Sequence, residues 1–315
     1  MREENKMKEL QKIGVIGGGL IGMSWASLFL ARGMTVVVID PRQEAEAELR
    51  NFVLEAWPKL QALGLTTSDT VRHADFSADF ERLSQVDFVQ ENGPDRIEIK
   101  RQLIEQIEQV IAPQVVIASS TSSLLASDIQ AEARYPERIL VGHPMNPPHL
   151  VPMVELVAGE LTSLASLQTA ETFYRQMQRV TIRVQQEVVG HLANRLTSAL
   201  YREAVHIAAE GIASVEDIDK AITYGPGMRW ALLGPHLTYH LGGGVGGYQA
   251  YLDHLGPTQE TRWKELGSPR LTAELKTMLV AGMKKELESQ DQQTLAQRRD
   301  DALVELYKLK QKYGF

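Results

Sequence analysis

The segment VGHPMNPPHLVPMVE sets His143 and Glu155 among four prolines and a run of apolar side chains. An imidazole exchanges a proton near neutral pH, and a carboxylate on its second ring nitrogen fixes the tautomer and stabilises the imidazolium. The chemistry such a pair suits is removal of the proton from a secondary alcohol while hydride leaves its carbon. Ser119, Ser120, Thr121, Ser122 and Ser123 follow the strand-like VVIA, and one of these hydroxyls can bind the reacting oxygen while the others cap the next helix. Asn194, in GHLANR, offers an amide that polarises a carbonyl or else bonds to backbone.

Hydride needs an acceptor, and the chain carries a loop for one. Gly17-Gly18-Gly19-Leu20-Ile21-Gly22 follows the apolar run from Ile13 to Ile16 and opens a helix, the strand–turn–helix context that a G-x-G-x-x-G turn requires. In that context Gly17 permits the tight turn, Gly19 admits a pyrophosphate and Gly22 allows close packing of helix on strand. The next strand ends in Asp40, where a carboxylate accepts from ribose hydroxyls and repels a 2′-phosphate, so NAD is expected over NADP despite the nearby Arg42.

To position these groups the sequence must build a sheet whose strand ends meet. KIGVIG, TVVVID, DFVQEN, VVIASS and ILVGHP are short β-branched runs separated by amphipathic stretches starting near Leu20, Glu44 and Arg96, which predicts a parallel sheet with crossover helices. VPMVELVAG and VTIRV read as further strands around a helix over 163–179. From His191 the pattern turns helical, with Gly211 placed to end the first helix and Ser214 to open the next. The expected fold is α/β: a doubly wound parallel Rossmann domain over 1–187, binding NAD, and an all-helical domain over 188–315.

Composition narrows the partners. The 315 residues hold 33 basic and 40 acidic side chains, a net charge of −7 that disfavours nucleic acid or an anionic membrane and favours a small molecule. There is no cysteine, which excludes disulfides and thiolate chemistry and suits the cytoplasm, and no metal site is expected. The polar opening MREENKMKELQK lacks the apolar region of a signal peptide, and no stretch matches a membrane span.

Taken together, IGGGLIG, Asp40, VQENGPDRIEIK, SSTSSL, VGHPMNPPHLVPMVEL, GHLANRL and EDIDKAITYGPG resemble the 3-hydroxyacyl-CoA dehydrogenase family over essentially the whole chain. That resemblance implies an active site of Ser122, His143, Glu155 and Asn194, with Glu91 beside the nicotinamide, in an NAD-dependent homodimer. Two departures bear on substrate. PRQEAEAELRNFVLEAWPKLQALGL is acidic where acyl-CoA members carry lysines, and GPGMRWALLGPHLTYHLGGGVGG resembles the carnitine-oxidising branch, and less closely the branch of gulonate dehydrogenase and lambda-crystallin. A quaternary ammonium donates no hydrogen bond, so carnitine recognition points to the aromatics Trp230, Tyr239, Tyr248, Tyr251 and Trp263, with Arg229 for the carboxylate. The alternatives are a gulonate or short 3-hydroxyacyl-CoA dehydrogenase and, in another class, a non-catalytic NAD(H)-binding sensor or crystallin-like protein.

Overall fold

The computed structural model describes residues 10–288 and 290–315, so most of the polar opening stretch lies outside the described residues. Eight strands form one sheet: β1 (Lys12–Ile16), β2 (Thr35–Ile39), β3 (Asp75–Ser77), β4 (Phe88–Glu91), β5 (Val116–Ser119), β6 (Ile139–Pro144), β7 (Met153–Ala158) and β8 (Val180–Val184), in the order β3-β2-β1-β4-β5-β6-β7-β8. The helices of this part are α1 (Leu20–Ala31), α2 (Glu44–Ala62), α3 (Ile97–Val110), α4 (Ala126–Gln130) and α5 (Leu164–Gln176). Strands β1 to β6 pair in parallel. Covered on both faces, the central ones are buried at every residue instead of alternating between buried and exposed.

On one face Val37, Val89, Ile117 and Val141 pack with Ile104 and Ile107 of α3. Elsewhere Trp25 and Phe29 of α1 and Phe173 and Tyr174 of α5 join Phe88, with the Phe88 and Phe173 ring centroids 4.3 Å apart. Burying aromatics of this size supplies a large share of the apolar burial that holds helix to sheet.

One departure from an all-parallel sheet matters for the site: β7 runs antiparallel to β6. The connection between them, residues 145–152, is too short for a parallel crossover, which needs a dozen residues or more. The chain therefore reverses, and His143 comes to stand opposite Glu155 in the register.

The chain divides into two compact units, with the boundary between Arg195 and Leu196. A helix α6 (Ala193–Ala209) begins at the end of the first unit and runs into the second, which adds α7 (Val215–Thr223), α8 (Pro226–Trp230), α9 (Pro235–Gly242), α10 (Gly247–Glu265), α11 (Ala273–Leu287) and α12 (Gln292–Tyr313). The local signals explain several of these ends. Gly211 takes φ +66° after α6, and Ser214 Oγ accepts from the Asp217 N–H at 3.1 Å to cap α7. No helix among the described residues is long and apolar enough to cross a membrane.

Candidate active site

His143 Nδ1 lies 2.7 Å from Glu155 Oε2, with the glutamate fully buried and the histidine nearly so. Burial works to raise the Glu155 pKa, but hydrogen bonds from His143 and from the Ala193 and Leu192 N–H groups outweigh it and hold the carboxyl below its ordinary value. An ionised carboxylate only accepts, so Nδ1 carries the proton and Nε2 keeps its lone pair. Nε2 has no hydrogen-bond partner among the described residues, and His143 lines a cavity of about 360 Å³. The second carboxylate oxygen, Oε1, accepts the Leu192 and Ala193 N–H groups at 2.9 and 2.8 Å. Glu155 thus joins the imidazole to the first turn of α6.

The same cavity is lined by Ser122, Asn194, Asn146, Asp95, Lys100 and Ser120. Ser122 Oγ and N–H both donate to Asp95 Oδ2, at 2.9 and 3.0 Å. Burial pushes the Asp95 pKa up, yet its bonds from Thr121 and Ser122 prevail and keep it below the ordinary carboxylate value. Asn194 Nδ2 donates to the Ser122 carbonyl at 3.2 Å. His143, Glu155, Ser122 and Asn194, scattered over more than seventy residues of sequence, are therefore brought together. An imidazole lone pair in a cavity that Ser122 and Asn194 also line can accept a proton from an alcohol, and the second N–H of the Asn194 amide is left to bind the oxygen.

The dinucleotide loop fits its motif. Gly17 sits at φ +88°, and a Cβ on Gly22 would stand 1.8 Å from the Gly17 carbonyl oxygen, so both positions exclude side chains. A Cβ at Gly19, the residue before α1, would meet nothing within 4 Å, leaving room for a pyrophosphate at that helix N-terminus beside Leu20 and Ile21. Asp40 Oδ2 accepts the Gly18 N–H at 2.7 Å, and Oδ1 accepts from Arg42 N and Nε at 2.9 and 3.2 Å. Each carboxylate oxygen offers about two acceptor sites, so lone pairs remain for ribose hydroxyls. These residues fit NAD.

Glu91 is placed differently from the expected nicotinamide contact. Its side chain is fully buried, and its oxygens accept from Lys100 Nζ (3.0 and 2.8 Å) and Ser119 Oγ (2.6 Å). Asn92, Gly93 and Lys100 line the cavity in its place. The strand end that carries Glu91 points its side chain inward, and the buried charge is matched by the lysine.

Sequence reasoning passed over three residues of this neighbourhood: Asp95, Lys100 and His191. The His191 ring centroid is 5.1 Å from that of His143, and its Nε2 is 3.0 Å from the Thr121 carbonyl oxygen. His149 bonds to Ser24 Oγ through Nδ1 (2.7 Å) and packs edge-on to Phe52, a structural clamp on α1. In the second unit Tyr239 and Tyr251 stack at 4.5 Å and Tyr248 lies nearly parallel to Tyr251 at 6.2 Å. One face of Tyr239 and one of Tyr251 are thus taken up by each other.

A mostly parallel sheet with a glycine turn and an acidic strand end, together with an imidazole–carboxylate pair on a polar cavity, defines a nicotinamide-dependent dehydrogenase. Residues 12–188 match the family model described as 3-hydroxyacyl-CoA dehydrogenase, NAD binding domain, and residues 190–310 that of the C-terminal domain. The chain belongs to the 3-hydroxyacyl-CoA dehydrogenase family, and it is an NAD-dependent 3-hydroxy dehydrogenase. It is 41% identical to an L-carnitine dehydrogenase of Streptomyces coelicolor, covering 98% of this chain and 97% of that protein. An L-carnitine dehydrogenase of Bacillus cereus is 39% identical, covering 96% and 94%. Among solved structures, that of 5-formyl-3-hydroxy-2-methylpyridine 4-carboxylic acid 5-dehydrogenase, an NAD+ dependent dismutase, superposes with a TM-score of 0.81 at 26% identity, covering 96% of this chain and 99% of that one.

Proposed function

We propose that the enzyme oxidises the 3-hydroxyl of L-carnitine to 3-dehydrocarnitine, with His143 as general base. The observation that carries the proton-transfer reading is the His143–Glu155 bond: it leaves Nε2 as an acceptor on a residue that lines the same cavity as Ser122 and Asn194. Bound NAD supplies the hydride acceptor. Glu155 orients the imidazole and stabilises the imidazolium, while Ser122 and Asn194 bind the reacting oxygen. Gly17, Gly19, Leu20, Ile21 and Gly22 hold the pyrophosphate, Asp40 holds the adenosine ribose, and Glu91 acts through Lys100. Nucleotide binding falls to residues 1–187, and residues 188–315 serve substrate and dimerisation in a cytoplasmic homodimer.

Carnitine as substrate is supported by the names of the relatives and by α2, whose EAEAELRNFVLEAWPKLQA is acidic and ill suited to the polyanionic CoA carrier. The test is a panel of L-carnitine, L-gulonate, 3-hydroxybutyrate and 3-hydroxybutyryl-CoA with NAD, read by NADH absorbance. Turnover of carnitine is expected; turnover of gulonate without carnitine overturns the substrate. No turnover of any of them, with tight NADH binding, restores the non-catalytic sensor or crystallin-like reading. His143→Ala should abolish turnover and retain NADH binding.

A further inference from the structure

His191 is buried to 1% exposure, and its backbone takes φ +49°, a left-handed conformation that histidine rarely adopts. Its Nε2 faces the Thr121 carbonyl at 3.0 Å, and a carbonyl only accepts, so Nε2 carries the proton. That leaves Nδ1 as a buried lone pair, without a hydrogen-bond partner among the described residues. A ring needed only to fill space would do so more cheaply as phenylalanine, which brings no unsatisfied acceptor.

The segment from His191 to Asn194 makes four contacts that converge on two targets. The Leu192 and Ala193 N–H groups hold Glu155, the partner of His143, while the His191 ring and the Asn194 amide hold the carbonyls of Thr121 and Ser122. From the other side Asp95 grips the Ser122 N–H and hydroxyl. The geometry points to His191 as a positioning residue for the oxygen site: its Nε2–H locks the Thr121 carbonyl and so registers Ser122 against Asn194 and His143. The inference rests on the reading that Ser122 binds the reacting oxygen.

The test compares His191→Phe, which keeps a ring and loses the donor, with His191→Gln, whose amide nitrogen can replace Nε2. Each is assayed at saturating NAD with whichever 3-hydroxy acid the panel shows to be turned over. His191→Phe should lower kcat roughly 10- to 100-fold, the scale of a small misplacement of a reacting group, with KM little changed. His191→Gln should recover most of that loss. In a double-mutant cycle, Ser122→Ala with His191→Phe should lose no more than Ser122→Ala alone. If the Phe variant does not fold, His191→Met takes its place. A kcat within twofold of wild type for His191→Phe, failure of Gln to rescue, or additive losses would overturn the role while Ser122→Ala stays impaired. Full activity of Ser122→Ala would instead bring down the oxygen-site reading, and this inference with it.

Discussion

His143 and Glu155 face each other across an antiparallel strand pair, joined by a 2.7 Å bond from Nδ1 to Oε2. A register pair on rigid strands holds the ring more firmly than a loop would, since a one-residue slip would send Glu155 to the opposite face of the sheet. Glu155→Gln isolates the tautomer. The amide can keep Oε1 on the Leu192 and Ala193 N–H groups and offer its NH₂ to Nδ1, which forces the ring proton onto Nε2. The wrong tautomer costs a serine protease about 10⁴-fold, and we expect a fall in kcat of about 10²- to 10⁴-fold here. NADH binding, followed by fluorescence, should be unchanged; a kcat near wild type would remove Glu155 from the mechanism.

Asp40 is a second point of control. Its carboxylate already holds the Gly18 N–H and Arg42 and keeps lone pairs for ribose. Asp40→Asn removes the charge while preserving shape, so the KM for NAD should rise about tenfold, the scale of one charge-assisted hydrogen bond. The preference for NAD over NADP should narrow in the same steady-state measurements, because the repulsion of a 2′-phosphate is gone. An unchanged ratio would place the discrimination elsewhere.

The parts of the fold that sequence reveals are those whose pattern is local. KIGVI, TVVVI and VIAS are short runs rich in β-branched residues, and the glycine turn carries its own spacing. The three-residue β3, Asp-Phe-Ser, has no such pattern and is held by pairing with β2. The reversal of β7 is legible only in hindsight, from the length of the connection before it. Asp95 before α3 and Lys100 within it look like ordinary surface charges; Lys100 becomes otherwise because Glu91 buries its carboxylate against it, and Asp95 because it takes the Ser122 N–H and hydroxyl. His191 carries no signal at all: its positive φ is imposed by the contacts around it, where glycine or asparagine would have advertised it.

The Glu91–Lys100 pair makes a stability prediction. Both side chains are essentially inaccessible, so removing one leaves an uncompensated buried charge. Lys100→Met should cost about 3–5 kcal/mol in denaturant unfolding, whereas Lys100→Met with Glu91→Leu should recover much of that loss. A single substitution costing under about 1 kcal/mol would show that water reaches the pair.

Acid sensitivity follows from the same neighbourhood. Glu155 and Asp95 have depressed pKa values, so their contribution is fully present above the carboxylate range of an unfolded chain and is lost as pH falls below that range through their lower folded values. His191 works in the same direction at higher pH. Burial lowers its pKa below 6.5, outweighing the pull of the Thr121 carbonyl, so the native ring takes up its proton at lower pH than the unfolded one. The groups facing it are His143, which lowers its pKa further, and Glu155 and Asp95, which raise it by less than burial lowers it. Stability should therefore begin to fall as pH drops below about 6.5, before the carboxylates titrate. His191→Phe removes that first part: the drop in Tm between pH 7.5 and 5.5 should be smaller in the variant than in the wild type, with the steeper loss below pH 4.5 retained in both. Equal drops across the upper interval would mean that His191 is protonated in the folded enzyme.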